Sequence, residues 1–310
     1  MTWEAQIEAI AADRESGASS VAVGAARIIC EICKTAELAS QDAFTKLIQK
    51  AAHRLVAGQP EMASLLGLLN QVFFAATGAP ELETALTSVT RAATAFAEHM
   101  EDARREVVRR AKGLIPAEVR VLTHTSSSTV ASALTGAAKA GRNVTVYCNE
   151  SRPLYEGRTM AAQLADAGIE VILTVDAAAY ANLKTCELVL LGADTLTGQG
   201  VVNKVGSAVI AVCAQSLGLP VYILTDTTKV WPADLGSPPL SQHPTGEVWP
   251  NAPDNVEVSN FYFDLTPWQA VSGVITERGL LTPGEIRAIG REQNTHRFLQ
   301  TIVANVRGTL

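Results

Sequence analysis

Leu188-Val189-Leu190-Leu191-Gly192-Ala193-Asp194-Thr195-Leu196-Thr197-Gly198-Gln199-Gly200-Val201-Val202-Asn203-Lys204-Val205-Gly206 joins an apolar run to a polar, glycine-punctuated loop. Leu188 to Leu191 read as a buried strand, with the carboxylate of Asp194 just past its end. Asn203 and Lys204 are read as opening a helical pattern carried by Val205, Ala208, Val209, Val212 and Cys213. In an open α/β sheet, ligands bind outside the carboxyl ends of the strands. An acid, an amide and an ammonium gathered there point to a polar, anionic ligand. The alternative is a turn whose aspartate caps a helix.

Working outward, the same texture repeats. Short β-rich runs at Val119–His124, Val144–Cys148, Val171–Val175 and Val221–Leu224 flank the central one. Helical patterns at Thr129–Ala140, Thr159–Ala167 and Val205–Leu217 lie between them. Near-continuous apolar strands alternating with helices predict a parallel sheet covered on both faces. Before Lys112-Gly113-Leu114-Ile115-Pro116 only helical spacing is found, as in Phe44, Leu47, Ile48, Ala51 and Leu55,. Breaks fall at Gly58-Gln59-Pro60 and Gly78-Ala79-Pro80,. The expected fold is α/β: an all-helical N-terminal domain over residues 1–115, then a Rossmann-like parallel-sheet domain over 116–310. Residues 232–253, rich in Pro, Gly and Ser, read as an irregular loop, followed by a strand-like run at Asn260–Asp264.

Composition narrows the function classes. A net charge of −6 offers no global basic field for nucleic acid,. No apolar run is long enough to span a bilayer. Met1-Thr2-Trp3-Glu4-Ala5 is acidic within four residues and unlike a secretory signal, so a cytoplasmic location is expected,. Five scattered cysteines fit a reducing compartment,. Cys30 and Cys33 have no second pair to complete a zinc site and read as small core residues of a helix,. No metal and no cofactor is expected. GxGxxG, Walker and HExxH patterns are absent,.

The other strand ends are polar too. After the first strand come Thr125-Ser126-Ser127-Ser128-Thr129, five hydroxyls entering a helix N-terminus. One cap explains one or two of them; the rest suit an anion. After the second come Arg152 and Arg158, which either contact a phosphate or pair with Glu150 and Glu156,. Lys229, past the fifth strand, is either a phosphate point charge or a surface lysine,.

Taken in order, these residues carry a resemblance. Thr123-His124, Glu150-Ser151-Arg152-Pro153 with Glu156-Gly157-Arg158, Asp176-Ala177-Ala178, Gly192-Ala193-Asp194, Asn203-Lys204-Val205-Gly206 and Thr228-Lys229 form one pattern. It closely resembles the superfamily of the translation initiation factor 2B alpha, beta and delta subunits. That superfamily also contains the ribose-1,5-bisphosphate and methylthioribose-1-phosphate isomerases. The match is strong over about residues 115–290 and looser through Asp13-Arg14-Glu15-Ser16-Gly17-Ala18. The resemblance implies helices followed by a Rossmann-like domain, and a homodimer. In the isomerase members a cysteine and an aspartate form the acid/base pair. The aspartate falls on Asp194, and Asn203, Lys204 and Lys229 fall on substrate-holding positions. Ser127, Ser128 and Thr129 fall near a phosphate, as do Ser16, Gly17 and Ala18.

Three positions depart from that pattern. Thr125 occupies the place of the cysteine, and its hydroxyl titrates far too high to carry a proton near neutral pH,. Ser16 and Gln59 stand where the isomerases have arginines that contact substrate. The resulting expectation is an initiation factor 2B-like protein that binds a sugar phosphate or nucleotide without the full acid/base pair. The alternatives are a divergent aldose–ketose isomerase acting on a pentose phosphate through Asp194, and an interaction subunit with a vestigial pocket.

Overall fold

The structure, a computed structural model, describes residues 2–14 and 16–309; Met1 and Glu15, quoted above, lie outside the described residues. The chain forms two compact units. One comprises Met1–Asp102, Thr228–Pro239 and Ala288–Leu310; the other comprises Ala103–Thr227 and Leu240–Arg287. Residues 228–239 and 288–310 thus fall with the helices rather than with the sheet.

The first unit contains α1 (Trp3–Ala12), α2 (Ala18–Thr35), α3 (Gln41–Gly58), α4 (Ala63–Gly78) and most of α5 (Leu82–Ala111). Ser40 Oγ accepts from Ala43 N (3.2 Å) and caps α3, satisfying one otherwise orphaned donor,. Helix α4 carries no charged residue, and Leu65, Leu66, Leu68, Leu69 and Phe73 on it are all buried, as an all-round apolar helix requires,. Cys30 and Cys33 lie on α2 as free thiols, half-buried at the margin of the core rather than within it.

The second unit is built on β1 (Glu118–Thr123), β2 (Asn143–Asn149), β3 (Glu170–Thr174), β4 (Leu188–Leu191), β5 (Thr195–Leu196), β6 (Gly200–Lys204), β7 (Val221–Leu224), β8 (Phe263–Pro267), β9 (Gly273–Thr276) and β10 (Gly279–Leu281). Helices α6 (Ser128–Lys139), α7 (Glu156–Asp166), α8 (Ala179–Leu183) and α9 (Ser207–Ser216) connect the parallel strands. The main sheet runs β10-β9-β7-β4-β1-β2-β3, parallel except for β10 against β9. Its six parallel strands therefore follow the 3-2-1-4-5-6 order of the doubly wound fold,. The order reverses between β1 and β4, which pair Val121 with Leu188 and Leu122 with Val189. Val119, Val121, Val144, Val146, Leu188 and Leu190 pack with Val130, Leu134, Met160 and Leu164 of α6 and α7 in one core.

A small antiparallel sheet, β5-β6-β8, is added after β4. Here the expectation needs correction. Asn203 and Lys204 do not open a helix; they close β6, paired with Asp264 and Phe263 of β8. The helix starts only at Ser207, after Gly206 at φ 103°, a conformation that strains any side chain,. The strand-like run predicted at 260–264 is shifted to Phe263–Pro267. The chain ends in α10 (Pro283–Glu292) and α11 (Arg297–Thr309), and α11 packs on α3 and α4.

Candidate functional site

The β1 and β4 carboxyl ends flank the point where the strand order reverses, the place where open α/β sheets open a crevice. Past β1 stand His124, Thr125 and the Ser126–Thr129 turn; past β4 stand Gly192, Ala193 and Asp194. The two ends meet: a Cβ added to Gly192 would come within 2.8 Å of Ser127 Oγ. Ser127 caps α6, its Oγ accepting from Val130 N at 3.4 Å. Thr129 is buried and Ser128 is exposed.

His124 is fixed by two contacts. Nε2 lies 2.8 Å from the Val205 carbonyl, which can only accept, so Nε2 carries the hydrogen,. Nδ1 is then the acceptor facing the Ser151 hydroxyl at 3.2 Å. Burial pushes the imidazole pKa down, so the ring is neutral at pH 7,. Ser151 Oγ also accepts from Thr125 N at 2.7 Å, tying the ends of β1 and β2 together. Asp176 secures this join: its two oxygens accept from Ser151 N (2.8 Å) and Arg152 N (2.7 Å). Thr125, Ser151 and Tyr155 all hold left-handed backbone conformations, at φ 59°, 64° and 62°. Such non-glycine residues cost on the order of 1–3 kcal/mol each and collect at ligand sites.

Asp194 is half-buried at the start of the β5–β6 hairpin, its N–H donating to the Val202 carbonyl at 3.0 Å. Asn203 is buried and donates through Nδ2 to Ser207 Oγ at 2.9 Å. Lys204 Nζ lies 2.5 Å from Glu156 Oε1 and 4.8 Å from the centroid of the Tyr262 ring. Asp264 anchors the start of α9, accepting from Gly206 N (2.7 Å) and Ala208 N (3.2 Å). Burial pushes its carboxyl up to about 6 against those two donors.

The predicted residues are only partly brought together. Thr125, Ser127, Asp194, Asn203 and Lys204 gather at the strand ends of one unit. Arg158 turns to Glu150 at 2.9 Å and lies over the Tyr155 ring, leaving its side chain largely exposed. Arg152 bonds the Tyr155 hydroxyl and the Val248 carbonyl. Of the two acids offered as arginine partners, Glu150 takes that role and Glu156 takes Lys204 instead.

Ser16, Gly17 and Ala18 lie in the helical unit at the start of α2, with Ser16 N donating to Asp13 Oδ1 at 2.9 Å. Gln59, in the same unit, spends its amide on the Ile10 and Asp13 carbonyls. Lys229 is buried at the end of the 3₁₀ turn Thr227–Lys229. Of the three aromatic residues at 261–263, Tyr262 is buried, stacked on His243 at 3.6 Å, and Phe261 is exposed. Among the described residues no group of His, Cys, Asp and Glu is placed to hold a metal ion. No helix among them is long and apolar enough to cross a membrane.

Sequence reasoning missed Asn149, Ser151 and Glu156 as members of the site. A Glu two residues from an arginine reads as its partner, and nothing in the local pattern links it to a lysine 48 positions away.

The model of the initiation factor 2 subunit family matches residues 14–283. A ribose 1,5-bisphosphate isomerase of Archaeoglobus fulgidus is 33% identical over 269 residues, covering 84% of this chain and 85% of the relative. A methylthioribose-1-phosphate isomerase of Geobacillus thermodenitrificans is 28% identical over 302 residues, covering 90% of this chain and 84% of the relative. Among solved structures, the translation initiation factor eIF-2B of Pyrococcus horikoshii OT3 aligns with a TM-score of 0.80 at 27% identity, covering 91% of this chain and 98% of that one. With 270 of the 310 residues inside the matched region, the chain belongs to the initiation factor 2 subunit family.

Proposed function

We propose that this chain is an aldose–ketose isomerase acting on a pentose phosphate, with Asp194 as a proton carrier. The observation that carries the reading is the gathering of Asp194, Asn203 and Lys204 beside the Ser127 turn, at the reversal of strand order. Relatives named for sugar-phosphate isomerisation, at 33% and 28% identity over most of the chain, support it over the purely binding role. A carboxylate there takes a proton from carbon, while buried amide and ammonium donors steady the oxygen on which charge develops. The α6 N-terminus, with Ser127 and Thr129, favours a phosphate. A homodimer, as the family resemblance implies, and a cytoplasmic location, as the sequence suggests, complete the reading.

Thr125 favours a second reading, a sugar-phosphate binding protein without turnover. The two are separated by incubating the chain with ribose 1,5-bisphosphate and, separately, with 5-methylthioribose 1-phosphate. Carbon-13 NMR showing a new ketone carbon supports the isomerase. A rise in melting temperature with either sugar and no ketone supports binding alone.

A further inference from the structure

With a threonine in the place of the cysteine, isomerisation lacks its second proton carrier. A pentose 1-phosphate has no free aldehyde, because C1 holds both the ring oxygen and the phosphate ester. Two groups must therefore move protons, one at carbon and one at the sugar oxygens.

Most ionisable groups around the strand ends are already committed. Both nitrogens of His124 are engaged. Asp176 holds Ser151 N and Arg152 N, Asp264 holds Gly206 N and Ala208 N, and Glu150 pairs with Arg158. Cys148, the thiol nearest in sequence, faces the α6–α7 core, and burial pushes it up to about 12, so it supplies no thiolate,.

Glu156 differs. It opens α7, tied to the end of β2 by Gly157 N donating to the Glu150 carbonyl at 3.2 Å. Its Oε1 takes Lys204, while its Oε2 is buried and accepts no hydrogen bond from the protein. On the same connection Asn149 is only 1% exposed, and both of its amide atoms lack a protein partner. Buried polar atoms are seldom left unbonded, and those without a protein partner take a water, a ligand or a reacting group.

We infer that Glu156 is the second proton carrier of the reaction, doing with its unbonded oxygen what the absent thiol does in the isomerases. The inference rests on the isomerase reading above. Glu156, as the acid, gives its proton to the ring oxygen as the C1–O bond breaks and its electron pair goes to that oxygen. Asp194 removes the C2 hydrogen as a proton, and the C–H pair becomes the C1–C2 double bond. The resulting Glu156 carboxylate, steadied by Lys204, takes the proton of the C2 hydroxyl. Asp194 returns its proton to C1, leaving a ketone at C2 and both acids restored. Burial pushes the Glu156 carboxyl up, with Asp194 adding to the rise and Lys204 opposing it, so the carboxylate that pairs with Lys204 takes up the proton the first step needs more readily than an ordinary glutamate does,.

The test compares wild type, Glu156→Gln, Thr125→Cys and the double variant on ribose 1,5-bisphosphate and 5-methylthioribose 1-phosphate. Glu156→Gln is expected to lower kcat by about 100-fold or more with little change in KM. Adding Thr125→Cys should restore at least about tenfold of that loss, with a pH profile that acquires a thiol limb. If Glu156→Gln unfolds, Glu156→Asp keeps the charge beside Lys204 and should lower kcat alone. An active wild type with an unimpaired Glu156→Gln or Glu156→Asp overturns the inference, as does a folded double variant with no recovery. A wild type inactive on both sugars instead removes the isomerase reading, and this inference with it.

Discussion

Thr125, Ser151 and Tyr155 hold backbone conformations that side chains avoid, and they do so at the ends of two neighbouring strands. Nothing in their sequence signals this, because Thr and Tyr carry no local preference for it. Lys204 shows the same limit differently. Its place near a strand end was legible from the pattern, but its neutralisation by Glu156 was not, since the partners come from separate βα connections. Both side chains are largely buried, so removing one leaves an uncompensated charge. Lys204→Ala should destabilise the chain by about 3–5 kcal/mol in urea unfolding. Lys204→Met combined with Glu156→Gln should cost clearly less than the two single changes summed. Strict additivity would mean that the pair is not coupled in solution.

At the scale of the element, α9 depends on a carboxylate from another strand. Asp264 caps it while half-buried, with its carboxyl moved from the ordinary 3.8 up to about 6. A group whose folded value is raised adds stability when protonated. That stability is complete below about pH 4 and is lost as the pH climbs through about 6, a change on the order of 2–3 kcal/mol. Asp264→Asn should flatten this stretch of a stability–pH curve measured by denaturant unfolding; an unchanged slope would assign the titration elsewhere. Ser127→Ala removes the α6 cap and should cost about 1 kcal/mol. Five parallel strands, β1, β2, β3, β4 and β7, were legible because each is a near-continuous apolar run ending in polar residues. The β5–β6 hairpin was not: Val201-Val202-Asn203-Lys204-Val205 runs into a helical spacing, and pairing with β5 and with β8, some 60 residues on, makes it a strand,.

At the scale of the molecule, the helices-then-sheet order was readable from the change of periodicity near residue 115. The return of the chain's last helix to the first helices was not, because an amphipathic helix does not name its partner. Leu299, Ile302, Val303 and Val306 of α11 are all buried. Truncation after residue 296 removes that cover from α3 and α4. With about 1.5–3 kcal/mol for each buried aliphatic side chain, the helical unit should lose its cooperative melt by circular dichroism. The sheet's strand order carries the functional claim, because it sets the Asp194 loop beside the Ser127 turn. The most direct measurement is the rate of ketose formation from ribose 1,5-bisphosphate and 5-methylthioribose 1-phosphate, followed by NMR, for wild type and for Asp194→Asn. The isomerase account predicts turnover of at least one sugar by the wild type and a loss of about 100-fold or more in the variant. No turnover of either sugar by the folded wild type, or an Asp194→Asn rate equal to it, would contradict the account.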